Sequence, residues 1–340
     1  MDLGRMSGDI RRLRIAGTGH FVPSRVLLST DLDRELGFEE GSLQRLSGVF
    51  SRHVCQAEDD QIAMAAAAAN LAMQKAGMGP EDIDLVIGAC GVPYQPLPTT
   101  APLVMDRLGI AAGRAAAFDV NASCLSFLAA VDLAADRIAM GRARVAIVFS
   151  ADIASRALPW HDQPDVAALF GDGSAAIVLA AASEGDSSIR ASLMRTYPSA
   201  YDACGIGAGG TRFDFHRQPN EFAAHASFRM DGKALFRVTH RHFPRFVDEL
   251  LTAAGWTADD VDLVVPHQAS PLALEHMIRQ TGMAVDRVVN ITTRFGNQIA
   301  ASIPTALDIA WADGRIRKGC KLLMLGTSAG VSFGGMAIEV

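Results

Sequence analysis

Short apolar runs alternate along the chain with longer stretches whose apolar positions recur at helical spacing. Leu85-Val86-Ile87, Val145 to Phe149, Leu263-Val264-Val265 and Leu322 to Leu325 are apolar at every position, as strands buried on both faces must be. By contrast, Phe127, Ala130, Val131, Ala134 and Ile138 fall on one side of a 3.6-residue period and predict a helix. The order helix, acidic turn, apolar strand, small-residue loop, strand, helix, strand then occurs twice. This alternation predicts an α/β fold with helices covering mixed sheets in layers.

The repetition extends to the residues themselves. Ala76-Gly77-Met78-Gly79-Pro80-Glu81-Asp82-Ile83-Asp84-Leu85-Val86-Ile87 aligns without a gap on Ala254-Gly255-Trp256-Thr257-Ala258-Asp259-Asp260-Val261-Asp262-Leu263-Val264-Val265, an offset of 178. The same offset pairs Arg137-Ile138 with Arg315-Ile316, Gly141 with Gly319, and Ser150-Ala151 with Ser328-Ala329. Several shared words at one spacing indicate an internal duplication, with halves 1–183 and 184–340 divided in the turn-rich passage near Ser183 to Ser188. The offset also sets Cys124 opposite Ser302, each where a loop enters a helix. Packing of the halves about a pseudo-twofold axis would bring those two helix starts together, so that loops from both halves build one site.

Composition narrows the function classes. With 340 residues, 49% hydrophobic and 20% charged, the chain can bury a large core. A formal charge of −6 gives no broad basic face for nucleic acid. Five cysteines at scattered spacings, without a CxxC pair, indicate neither a disulfide framework nor a zinc knuckle and fit a reducing cytoplasm. No apolar core precedes Arg11-Arg12, which argues against a secretory leader, and the Ala-rich stretch Ile62 to Met73 is too short to span a bilayer.

Three residues carry candidate chemistry. Cys124, in Asp119-Val120-Asn121-Ala122-Ser123-Cys124, is expected at or just inside a helix N-terminus, where free N–H groups and the dipole would lower its thiol pKa. A free cysteine is also commonly a small buried hydrophobe, and Cys55, Cys90, Cys204 and Cys320 read that way. His267 follows the buried run ending at Pro266, which is expected to end the strand ladder and present the imidazole at a strand's end. A packed loop histidine is the alternative. Asn297, in Arg294-Phe295-Gly296-Asn297-Gln298, is a potential oxyanion donor or an ordinary turn asparagine. Of three glycine-rich segments, Gly17-Thr18-Gly19 and Gly205 to Gly210 read as tight turns, because the first lacks the third glycine of a dinucleotide fingerprint and the second the lysine of a phosphate loop. The third, Gly326 to Gly330, offers backbone able to approach a substrate closely.

Together these segments resemble β-ketoacyl-acyl carrier protein synthase III and its relatives along nearly the whole chain. The carriers are Gly17-Thr18-Gly19, Asp119 to Cys124, Phe170-Gly171-Asp172-Gly173, Met230-Asp231-Gly232, Pro266-His267-Gln268-Ala269 and Gly296-Asn297. The resemblance implies a thiolase-like αβαβα fold and a homodimer. It implies that Cys124 takes an acyl group from a thioester of coenzyme A or of an acyl carrier protein. His267 and Asn297 would hold a malonyl-type extender as it loses carbon dioxide, and the enolate would attack the acyl group. Gly330 would contribute to the oxyanion hole, Gly209, Phe170 and Ser302 to substrate binding, and Arg279 to carrier binding, with no metal or redox cofactor.

Departures from the family pattern matter. Ser42 and Pro164 stand where members that start from coenzyme A clamp adenine between tryptophan and arginine, and the helix after His267 offers mainly Arg279 for a carrier. The loop Val92 to Thr99 matches one that reaches the partner's acyl pocket. By the resemblance Leu97 would line that pocket, at a place comparable to that of the glutamate by which relatives that join two acyl chains remove an α-proton. Residues 321–340 contain no cysteine, unlike thiolases. Decarboxylative condensation is thus the expected reaction. Coupling of two acyl chains, or acyl transfer to a heteroatom, remains open on the same cysteine.

Overall fold

The computed structural model describes residues 10–182 and 187–340. The expectation about the extreme N-terminus and the division between residues 183 and 184 lie outside the described residues.

Nine strands form one continuous mixed sheet in the order 263–266, 321–328, 332–339, 188–196, 11–21, 173–181, 145–152, 85–88, 116–119. Among the described residues, the strands of the first copy and those of the second meet only where Arg11 and Arg12 pair with Ile189 and Ser188. Elsewhere each copy builds its own side. Leu85–Gly88 runs parallel to both of its neighbours, and Leu263–Pro266 runs parallel to Lys321–Ser328.

The apolar runs sort by alternation into three layers of contact. Leu85, Ile87, Ala146 and Val148 of one copy, with Leu263, Val265, Leu322 and Met324 of the other, face a central core that includes residues of the helices Ser126–Ala139 and Ser302–Ala312. The intervening residues Val86, Ile147 and Phe149 face outward onto the Ala-rich helix Gln61–Ala76, and Val264, Leu323 and Leu325 face outward onto the helix Gly232–Ala254. A strand's two-residue period thus gives each sheet two apolar faces, and helices cover both. The layering is the expected αβαβα arrangement.

The repeated words fold alike. Gly77 and Gly255 each close a long helix in the left-handed conformation, with φ of 66° and 71°. Gly79 and Thr257 donate their backbone N–H groups to Asp82 and Asp260, three residues on. Asp84 and Asp262 then accept from the strands beginning at Val145 and Lys321.

Two expectations are corrected here. The helices that should start in register begin at Ser126 and Ser302, two residues away from the offset of 178. Ser302 therefore opens its helix, whereas Cys124 precedes its own. Gly17-Thr18-Gly19 is not a turn but lies within the strand Arg11–Phe21. A β-carbon on Gly17 would overlap the Ala72 carbonyl, and one on Gly19 would lie 2.5 Å from that of Ala68, so these glycines let the outer helix pack directly on the strand.

Candidate active site

Cys124 stands on a sharp turn between the strand Ala116–Asp119 and the helix Ser126–Ala139. Ser123 has φ of 54°, a left-handed conformation that a residue with a β-carbon rarely takes. Local hydrogen bonds hold it there. Asn121 Oδ1 accepts from Ser123 N at 2.9 Å, Ser126 Oγ donates to the Ser123 carbonyl at 2.7 Å, and the same oxygen accepts from Ala122 N at 2.9 Å. Asp119 caps the neighbouring helix by accepting from Thr100 N and Ala101 N.

The thiol does not have the lowered pKa expected of a helix start. Burial pushes Cys124 up to about 12, reinforced by Cys204 and Asp152, while the N–H groups of Cys124 itself and of Ala329 act in the opposite direction. Desolvation of a thiolate in an apolar cavity costs more than the nearby N–H groups return.

His267 is held from two sides. The ladder between Leu263–Pro266 and Lys321–Ser328 continues one residue past Pro266, because His267 N donates to the Leu325 carbonyl at 2.7 Å. Proline therefore does not end the pairing as expected. Its ring is carbon at nitrogen, but its carbonyl and the next N–H are unaffected. The following Gln268 is fully buried and fully partnered. Its amide donates to the Pro266 and Val289 carbonyls and accepts from Ile291 N, which pins the loop. The His267 ring lies with Nδ1 2.6 Å from Ser302 Oγ, and burial lowers its pKa to about 4, so the imidazole is neutral at pH 7.

Asn297 is fixed by backbone on both sides. Its N–H donates to the Leu169 carbonyl at 2.8 Å, and its carbonyl accepts from Gly171 N at 3.1 Å. The preceding Gly296 has φ of 64°, and a β-carbon there would lie 2.8 Å from the Leu169 oxygen. The side-chain Oδ1 accepts from Ile299 N at 2.8 Å, which leaves Nδ2 as the group free to donate. Asp172, in the same Gly-Asp-Gly segment as Gly171, accepts from Cys55 N and Ser155 N and so anchors the loop structurally.

Cys124, His267 and Asn297 line one cavity of about 1540 Å³, more than the several hundred cubic ångströms of a usual small-ligand pocket. Phe170, Gly209, Arg279 and Gly330 line it too. Ser302 does not; it is fully buried behind His267. Leu97 also lies outside this lining, although Gly91 to Pro96 contribute to it, and its side chain is 83% exposed. Cys204, by sequence an ordinary buried thiol, lines the cavity with Cys124. Nothing in its local sequence marks it, since its position depends on a pairing of Cys204–Gly205 with Arg229–Met230. Among the described residues no group of three or more His, Cys, Asp or Glu is placed to hold a metal ion, and no helix is long and apolar enough to cross a membrane.

The chain is similar in sequence and in fold to known proteins. Residues 118–198 match the family described as 3-oxoacyl-[acyl-carrier-protein] synthase III, and residues 251–340 match its C-terminal counterpart. A β-ketoacyl-[acyl-carrier-protein] synthase III of Rhizorhabdus wittichii is 33% identical over 330 residues, spanning 97% of this chain and 100% of the relative. One of Symbiobacterium thermophilum is 34% identical over 331 residues, 97% of this chain and 98% of that one. The crystal structure of a 3-oxoacyl-(acyl carrier protein) synthase III of Pseudomonas aeruginosa superposes with a TM-score of 0.86 at 31% identity, covering 97% of this chain and 98% of that chain. Likeness of this extent, in sequence and in fold, places the chain in the β-ketoacyl-[acyl-carrier-protein] synthase III family of condensing, acyl-transferring enzymes.

Proposed function

We propose that the chain catalyses decarboxylative Claisen condensation, with Cys124 as acyl carrier and His267 and Asn297 as the donors that stabilise the enolate. The observation that carries this reading is the convergence of a thiol with two neutral N–H donors in one large cavity. His267 is neutral because it is buried, and Asn297 turns Nδ2 outward because Oδ1 is already engaged.

The chemistry follows from these groups. The Cys124 sulfur attacks the carbonyl of an acyl thioester, the proton and the departing thiol leave together, and the tetrahedral oxyanion is met by the N–H groups of Cys124 and the Ala329–Gly330 turn. A malonyl thioester then places its carbonyl oxygen on His267 Nε2–H and Asn297 Nδ2–H. As its carbon–carboxylate bond breaks, carbon dioxide departs and the electron pair becomes the enolate. That carbanion attacks the acyl carbonyl, the new carbon–carbon bond forms, and the sulfur is released as thiolate. Donors fixed before the charge develops need no reorganisation at the moment of reaction.

The acyl and malonyl groups arrive on coenzyme A or an acyl carrier protein, with Arg279 at the cavity wall as a carrier contact and Phe170 and Gly209 along the acyl path. A homodimer is supported by Leu97, whose exposed side chain is free to enter a partner's pocket. The halves 1–183 and 184–340 act as one unit, because the thiol comes from the first and both donors from the second.

The test is intact-protein mass spectrometry after incubation with acyl-coenzyme A and acyl-carrier donors, followed by a malonyl-carrier chase. An adduct on Cys124 that the chase clears as a β-ketoacyl product supports the reading. An adduct that persists with malonyl but clears with an alcohol, an amine or a second acyl chain replaces it with heteroatom transfer or chain coupling.

A further inference from the structure

We propose that Asp152 is the positioning residue for the Asn297 donor, holding a strained turn whose conformation decides which end of the Asn297 amide faces the substrate. The inference rests on the condensing role given to Asn297 above.

Asp152 ends the strand Val145–Asp152, which is otherwise apolar apart from Ser150, and it is fully buried. Among the described residues no lysine or arginine pairs with it. Its Oδ1 accepts from Val92 N at 2.9 Å, and its Oδ2 accepts from Ala300 N at 3.0 Å and Ala301 N at 3.3 Å. One carboxylate thus ties the loop at Gly91-Val92 in the first half to the turn after Asn297 in the second.

That turn is strained. Ile299 has φ of 51°, and a β-branched residue in the left-handed region persists only where its surroundings impose it. Its side chain lies against Gly91, where an added β-carbon would overlap Ile299 Cγ2. Its N–H is the group that engages Asn297 Oδ1. If Ala300 N lost its acceptor and Ala301 N kept only the Gln298 carbonyl, the turn would relax toward right-handed backbone and withdraw Ile299 N. The Asn297 amide would then be free to flip and to present an oxygen, where the mechanism needs an N–H, to the developing enolate.

Burial pushes the Asp152 carboxyl up to about 7, and the N–H donors facing both of its oxygens favour the ionised form, in which both can accept. An asparagine at 152 keeps one oxygen but sets an NH₂ group against N–H donors on its other side, so it can serve Val92 or the 300–301 pair but not both. The two half-reactions separate this role from general structural damage, because acylation of Cys124 does not use Asn297, whereas the malonyl step does.

The experiment measures both steps in the full-length protein carrying Asp152→Asn. Acyl-Cys124 formation, read by intact mass, is expected to be no slower than in the parent, because loss of the Asp152 charge lowers the thiol pKa, while malonyl-dependent clearing slows about 100-fold, the order of cost of misplacing a catalytic group by about 1 Å. Adding Asp152→Asn to Asn297→Ala is expected to cost nothing more in the malonyl step. Should Asp152→Asn fail to fold, Asp152→Glu keeps the charge but moves the carboxylate oxygens by one methylene relative to Val92 N and Ala300 N, and it must give the same split. Equal loss of both steps, no loss of either, or losses that multiply with Asn297→Ala would overturn the proposal. A parent protein that never acylates Cys124 would instead remove the condensing reading itself.

Discussion

Ser302 Oγ lies 2.6 Å from His267 Nδ1 and also accepts the Gln268 N–H at 3.3 Å. The hydroxyl proton then points to Nδ1, since the oxygen's other contact is a donor. Nδ1 accepts, and the neutral ring carries its proton on Nε2. Ser302 thereby makes His267 a hydrogen-bond donor toward the cavity without touching substrate.

Replacing Ser302 with alanine removes that constraint. The Ser302→Ala protein is expected to acylate Cys124 normally and to slow in the malonyl step about tenfold, a fraction of what loss of a whole oxyanion donor costs. It should also lose about 1–3 kcal/mol of stability, because two buried groups lose their partner. Nitrogen NMR of the His267 ring should show the tautomer mixture change. An unchanged tautomer with an unchanged malonyl step would remove Ser302 from the positioning role.

The pH dependence follows from burial of His267. Its pKa in the folded protein is about 4, below the ordinary 6.5, so between these values the unfolded chain binds a proton that the folded chain does not. Stability contributed by this group is therefore fully present above about pH 6.5 and lost as pH falls toward 4. His267→Gln is expected to flatten that part of the stability curve, and urea unfolding of parent and variant between pH 4 and 7 measures it. Identical curves would show that His267 is not buried as a neutral ring.

The Cys124 thiol is held at a high pKa at rest. With the thiol pushed up to about 12, alkylation by iodoacetamide should rise about tenfold per pH unit from 7 to 9 without a plateau. A plateau near pH 7 would mean that the N–H groups around the sulfur outweigh its burial. Cys124→Ala should abolish the acyl adduct outright, and an undiminished acylated mass would place the nucleophile elsewhere.

Gly296 tests how tightly Asn297 is held. Alanine there meets both a φ of 64° and a β-carbon 2.8 Å from the Leu169 oxygen. Gly296→Ala should cost about 1–3 kcal/mol and impair the malonyl step more than acylation. Thermal unfolding together with the two half-reactions checks this, and a protein indistinguishable from the parent would show that the backbone there has room to adjust.

How much of this was legible from residues alone depends on range. Leu85-Val86-Ile87 and Leu263-Val264-Val265 announced strands buried on both faces, and the shared offset of 178 announced two copies, because apolar period and turn chemistry are local properties. Gly77 and Gly255 close their helices as the repeated words require. The same local reading misjudged Gly17-Thr18-Gly19, where glycine serves the close approach of a helix from another part of the chain.

The sequence by itself determined the layered α/β fold and singled out Cys124, His267 and Asn297 as candidates, since each follows from local pattern or from family resemblance. Tertiary structure alone decided their chemical state. The raised Cys124 thiol and the neutral His267 arise from burial, which depends on what the whole chain packs around them. The His267 tautomer depends on Ser302, 35 residues away, and the Asn297 turn on Asp152, 148 residues from Ala300. Cys204 entered the cavity by the same route. Hydrogen bonds and desolvation act through space between residues distant along the chain, so no local pattern carries their sign.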